Sequence, residues 1–133
     1  MIGLRSRLVN VEDVEVAKRF NVVLKAAFET GDREGVYELF ADDIEYTTPH
    51  RTLQGLGEVR EKLKWGSGEP ENLDVEFEQG EWQDLGGGHV VSESRMVQRW
   101  KKTGEVAVTM RINVDLRIRD GKITRYERLA QPE

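Results

Sequence analysis

The segment that decides the fold is Val106-Ala107-Val108-Thr109-Met110-Arg111-Ile112-Asn113-Val114-Asp115-Leu116-Arg117-Ile118-Arg119. Val106, Val108, Met110, Ile112, Val114, Leu116 and Ile118 alternate without a break against Thr109, Arg111, Asn113, Asp115, Arg117 and Arg119. Period-two alternation puts successive side chains on opposite faces, so this is a long strand with one apolar face and one charged face. Asp120-Gly121 follows it, the dipeptide a tight hairpin prefers, and Lys122 to Leu129 reads as the returning last strand. Upstream, Thr103-Gly104 makes another hairpin to a long strand from His89 to Lys101, itself preceded by the Gly86-Gly87-Gly88 turn. Before that turn Leu73, Val75 and Phe77 alternate with Asp74, Glu76 and Glu78, and Gly80 marks a bulge that returns Trp82 to the inner face. Hairpins joined in series make neighbouring strands antiparallel.

The N-terminal third has a different period. Val14, Ala17, Phe20, Leu24, Ala27 and Phe28 recur at steps of three and four, one apolar helical stripe. Asn10 is read as its N-cap with Asp13 in the first turn, and Gly31 as the left-handed residue that closes it. Asp32 caps a short second helix with Val36, Leu39 and Phe40. A strand then spans Asp43 to Thr48 and stops at Pro49, and a third helix runs from about Leu56 to Trp65 after a loop through Gly55 and Gly57. The expected fold is α+β: three N-terminal helices packed in the concave face of a curved, mainly antiparallel sheet. It forms one cone-shaped domain over residues 1–133, with a core from about 11 to 129 and a central pocket.

Bulk properties narrow the function classes. A formal net charge of −5, with acidic and basic residues interleaved, argues against a nucleic-acid partner. The absence of cysteine excludes thiolate nucleophiles and zinc–sulfur sites. His50 and His89 share no metal-ligand spacing, so neither a metal nor a cofactor is expected. No apolar run reaches the roughly 20 residues of a membrane span, and no membrane partner is expected; a cytoplasmic location is. Gly55-Leu56-Gly57 fails as a dinucleotide fingerprint because Arg60 occupies the third glycine position.

Phe28-Glu29-Thr30-Gly31-Asp32, then Leu39-Phe40-Ala41-Asp42-Asp43-Ile44-Glu45-Tyr46 with Pro49, Gly55, the Val59–Leu63 helix and Arg119-Asp120-Gly121-Lys122-Ile123 together resemble the SnoaL-like branch of the nuclear transport factor 2-like superfamily. The resemblance runs from about Val14 to Leu129. It implies a cone whose cavity opens at one end, in a group that includes polyketide cyclases, ketosteroid isomerases, limonene epoxide hydrolases, dehydratases and non-catalytic binding domains. Fold alone therefore does not decide activity. Thr48 stands where the isomerases place their base carboxylate. Against the epoxide hydrolases, Tyr126 takes the aromatic position of the last strand, Arg128 replaces a catalytic aspartate, and Met96 stands about where a second carboxylate would be.

With the apolar face turned inward, the expected pocket lining is Tyr46, Thr48, Trp65, Trp82, Ser94, Met96, Gln98, Trp100, Met110, Ile112, Val114 and Tyr126, with Ser92 alongside. No Asp or Glu falls on that face in this reading. An apolar wall with a few hydroxyls and amides suits a small hydrophobic molecule bound without a standard catalytic set. The alternative is an isomerase, cyclase or epoxide-hydrolase-like enzyme using His50 with Tyr46 or Tyr126, since histidine titrates near neutral pH. The opposite sheet face, with Glu93, Arg95, Arg99, Arg111, Asn113, Asp115 and Arg117, is expected to form a charge ladder and a homodimer interface, which gives a third reading as a protein-interaction module.

Overall fold

A computed structural model describes residues 2–63 and 72–133. The chain runs α1 (Ile2–Thr30), α2 (Glu34–Leu39), β1 (Phe40–Thr48), β2 (Arg51–Gln54), α3 (Leu56–Lys62), β3 (Leu73–Glu78), β4 (Trp82–Gly86), β5 (His89–Trp100), β6 (Val106–Arg119) and β7 (Lys122–Pro132). The seven strands form one curved sheet in the order β2-β1-β7-β6-β5-β3, with β4 also paired to β5. All pairings are antiparallel except that of β1 with β7. No helix among the described residues is long and apolar enough to cross a membrane.

Turn chemistry sets the meander. Asp120 and Gly121 both take positive φ, 53° and 76°, the left-handed pair that a two-residue hairpin requires. Gly80 lies between β3 and β4, both of which run along β5. Phe77 faces Met96 and Trp82 faces Ser92, so five steps on one side match four on the other. That extra residue is the bulge expected at Gly80. The Gly80 N–H donates to Ser94 Oγ at 3.2 Å, and a Cβ there would stand 1.7 Å from the Glu93 carbonyl oxygen.

The helices bury the inner face. Ala17, Phe20 and Ala27 of α1 join Val36, Ile44, Val59, Val90, Leu116, Ile118, Ile123 and Tyr126 in one core. Ile44, Leu116, Ile123, Val36, Val59 and Val90 are the largest fully buried side chains, each contributing about 1.5–3 kcal/mol by burial. α1 lies against α2, β4, β5 and β6, while α3 lies against β1 and β2.

Four local expectations change. α1 begins at Ile2, so Asn10 lies inside the helix and does not cap it; the stretch from Leu4 to Asn10 holds no glycine or proline to break the helix there. Phe40 opens β1 instead of closing α2, because its ring is buried against Phe20 at 6.0 Å. Arg51–Gln54, read as loop, returns as β2 beside β1, with Thr47 and Thr52 hydroxyls 3.1 Å apart. α3 ends at Lys62, and Trp65 lies outside the described residues.

Candidate functional site: the inner face of the cone

Register lays the inner-face residues out as rows. One row runs Trp82–Ser92–Val114–Arg128 across β4, β5, β6 and β7. The next runs Asp84–Val90–Leu116–Tyr126 and continues to Tyr46 through the parallel pairing of β7 with β1. In the opposite direction lie Ser94–Ile112–Ala130, then Phe77–Met96–Met110–Pro132, Val75–Gln98–Val108 and Leu73–Trp100.

These rows divide into a covered zone and an open one. Ser92, Ser94 and Ile112 are buried at 6%, 4% and 8% exposure, whereas Met96, Gln98, Val108 and Met110 are half-buried. Phe77 and Trp100 are exposed at 54% and 43%. The helices therefore close the deep end of the face and leave an apolar shelf at the other.

Polar groups are set into the covered zone. Ser94 accepts the Gly80 N–H, but Trp82 Nε1, Ser92 Oγ and Asp84 Oδ2 are buried without a hydrogen-bond partner. Such groups are destabilising by about 1–3 kcal/mol each when left unmet, and native interiors seldom keep them so. Asp84 Oδ1 accepts the Gly86 N–H at 2.8 Å, leaving its other oxygen directed to the interior. Asp13 of α1 is also buried, at 6% exposure. The face is thus not free of carboxylates, contrary to expectation. Both were legible: Asp84 shares the parity of Trp82, and Asp13 shares the helical stripe of Ala17 and Phe20.

Tyr46 and Tyr126 stack with ring centroids 4.4 Å apart and planes 9° from parallel. Phe20 leans on Tyr126 at 5.7 Å and Phe40 on Tyr46 at 6.2 Å. Burial raises the pKa of both tyrosines, most strongly at Tyr126, and the nearby Arg128 charge only partly opposes this. Both hydroxyls are therefore neutral donors near neutral pH and not bases.

His50 lies elsewhere. It is exposed in the β1–β2 turn, where its backbone N–H reaches Thr48 Oγ1 at 3.4 Å. Thr48 Oγ1 in turn faces the Arg51 carbonyl at 3.5 Å, so that hydroxyl serves the turn. The expected pairing of His50 with Tyr46 or Tyr126 does not form, because Pro49 turns the chain to solvent before His50. Among the described residues no group of three or more His, Asp or Glu is placed to hold a metal.

The outer face carries the expected charge ladder. Arg111 pairs with Glu93 at 3.2 Å, Arg99 with Glu76 at 3.4 Å, and His89 Nε2 with Asp115 Oδ2 at 2.7 Å. Arg95 and Arg111 stand directly opposite and are drawn apart diagonally, Arg95 to Glu133 and Arg111 to Glu93. A concavity of about 630 Å³ opens here, lined by Glu81, Gln83, Val91, Ser92, Glu93, Asn113, Val114, Asp115, Glu127 and Leu129.

Comparison with known proteins agrees with this geometry. The family model described as a SnoaL-like domain matches residues 23–126. An NTF2-like protein from Burkholderia xenovorans LB400 superimposes with a TM-score of 0.64 at 23% identity, over 90% of this chain and 89% of that one. An LEH-like epoxide hydrolase from M. tuberculosis gives 0.62 at 16% identity, over 91% and 84%. TerC, co-crystallized with polyporic acid, gives 0.62 at 22%, over 90% and 92%. At these identities the likeness is one of fold. No curated protein sequence matches the chain.

Proposed function

This chain belongs to the SnoaL-like domain family, and from that premise we propose that it binds a small hydrophobic molecule on the inner face of its cone. The observation that carries this reading is the set of buried polar atoms without protein partners, Trp82 Nε1, Ser92 Oγ and Asp84 Oδ2, beside apolar Val114 and Ile112. A ligand with one or two hydrogen-bonding groups satisfies them, while its apolar body covers Val114, Ile112 and the half-buried Met96 and Met110. Expected lining residues that stay in this proposal are Tyr46, Trp82, Ser94, Met96, Gln98, Met110, Ile112, Val114 and Tyr126. Trp100 contributes at the open shelf.

Calorimetric titration with 2-naphthylmethanol tests it. The wild-type protein is expected to bind one equivalent, and Ser92→Leu, which removes the unpartnered hydroxyl and sets a larger side chain opposite Trp82, to bind about tenfold more weakly or worse with an unchanged far-UV spectrum. Equal binding by the two proteins, or none by the wild type, would remove the inner face as the site.

A second reading concerns assembly. The outer concavity combines the carboxylates of Glu81, Glu93, Asp115 and Glu127 with apolar Val91 and the exposed Leu129, beside the arginines of the ladder. Charges of both signs beside an apolar patch suit a self-complementary two-fold contact. The outer face is accordingly assigned to homodimerisation.

A further inference from the structure

We propose that the inner face receives a hydrophobic amine, its ammonium group held by the Asp84 carboxylate. This rests on the reading of the inner face as the ligand site and adds the charge of what enters it.

Three observations converge. First, the Asp84 carboxylate is only half used. Its Oδ1 accepts the Gly86 N–H at 2.8 Å, which fixes the group, while Oδ2 is buried and has no hydrogen-bond partner. Among the described residues no lysine, arginine or histidine nitrogen comes within 4.0 Å of it. Taking a carboxylate oxygen out of water is costly unless a donor meets it, and a cation offsets that cost best.

Second, the neighbours of Asp84 along its row are aliphatic. Val90 stands opposite on β5 and Leu116 beyond it on β6, both fully buried, so water screens little there. Arg128 occupies the adjacent row three strands from β4, about 14 Å along the sheet at the usual strand spacing, and is exposed. It does not neutralise Asp84.

Third, the other two unpartnered atoms adjoin this one. Trp82 precedes Asp84 by two residues on the same face of β4, a step of about 7 Å, and Ser92 stands opposite Trp82. Ser92 is only 6% exposed, yet its Oγ is unpartnered, as is Trp82 Nε1. All three atoms thus fall within two neighbouring rows and mark one place. A ligand hydroxyl meeting Asp84 Oδ2 would supply the hydrogen bond and leave the charge unmet. An ammonium supplies both, with three N–H donors to distribute.

The test is a pair of probes of matched shape, 2-naphthylmethylamine and 2-naphthylmethanol, titrated calorimetrically at neutral pH. The amine is protonated there, as a lysine side chain with its pKa of about 10.4 is. Wild-type protein is expected to bind the amine about tenfold more tightly than the alcohol, the scale that separates a charge-assisted hydrogen bond from a neutral one. Asp84→Asn keeps an oxygen for the Gly86 N–H and is expected to bring the two probes within about threefold. Glu15→Gln makes the same change to the net charge at an exposed position of α1 and is expected to keep the tenfold preference. Equal affinities in the wild type, or a preference that survives Asp84→Asn, would overturn the inference. So would an equal loss of preference in Glu15→Gln, which would trace it to the overall charge of −5. Binding of the alcohol without preference for the amine leaves the inner-face site standing and removes only the role of Asp84. Binding of neither probe removes both.

Discussion

Adding one methyl group at Gly80 would place a carbon 1.7 Å from the Glu93 carbonyl oxygen, which is backbone and cannot swing aside. Gly80→Ala is expected to destabilise the protein by about 3 kcal/mol in urea unfolding, the upper end of ordinary overpacking. An unchanged midpoint would mean that the two halves of this edge do not meet β5 as described. The stacked tyrosines make a second prediction at this scale. Tyr126 in the folded chain holds its proton above the ordinary pKa of 10.0, whereas the unfolded chain releases it there. Above pH 10 the unfolded state binds fewer protons, so stability is fully present below that point and falls as pH rises, by about 1.4 kcal/mol per pH unit for Tyr126. Tyr126→Phe removes that slope. Comparing urea midpoints of the two proteins between about pH 9 and 11 measures the difference. Residue-scale reading of the sequence succeeded where one position carries a geometric demand, as at Gly80 and Asp120-Gly121. It failed for His50, where a chemically capable side chain is simply carried to solvent by the turn after Pro49.

Strands and helices were legible in proportion to their length and periodicity. β6 alternates over fourteen residues, and its inner parity, from Ile112 through Leu116 and Ile118, is the one the structure buries. Leu116 is fully buried in the centre of the sheet, and Leu116→Ala is expected to lose about 3 kcal/mol of stability through the cavity it leaves. By contrast Glu93→Gln removes an exposed ion pair with Arg111 and is expected to change stability by less than about 1 kcal/mol. Thermal or urea unfolding of the two variants separates these effects; comparable losses would mean that the faces had been assigned the wrong way round. β2 was not legible because Arg51–Gln54 is four residues long with one buried side chain, Leu53, too short for a period to show. The parallel pairing of β1 with β7 was hidden for a different reason. It joins segments about eighty residues apart, and nothing in either local pattern names its partner. That pairing is what stacks Tyr46 on Tyr126, so the most distinctive part of the inner face comes from tertiary structure.

At the scale of the whole molecule the proposed function gives the sheet two roles, a ligand face inside and an assembly face outside. The outer assignment predicts a dimer by sedimentation velocity at micromolar concentration, and a shift to monomer in Leu129→Glu, which adds a fifth acidic group to a concavity already holding four. A monomeric wild type would remove that role without touching the inner face. The inner assignment is tested most directly by a crystal structure of the protein grown with 2-naphthylmethanol. The account predicts density on the inner face over Val114, with the hydroxyl against Ser92 Oγ and Trp82 Nε1. Density confined to the outer concavity beside Glu93 and Leu129, or an inner face closed solid by its own side chains, would contradict it.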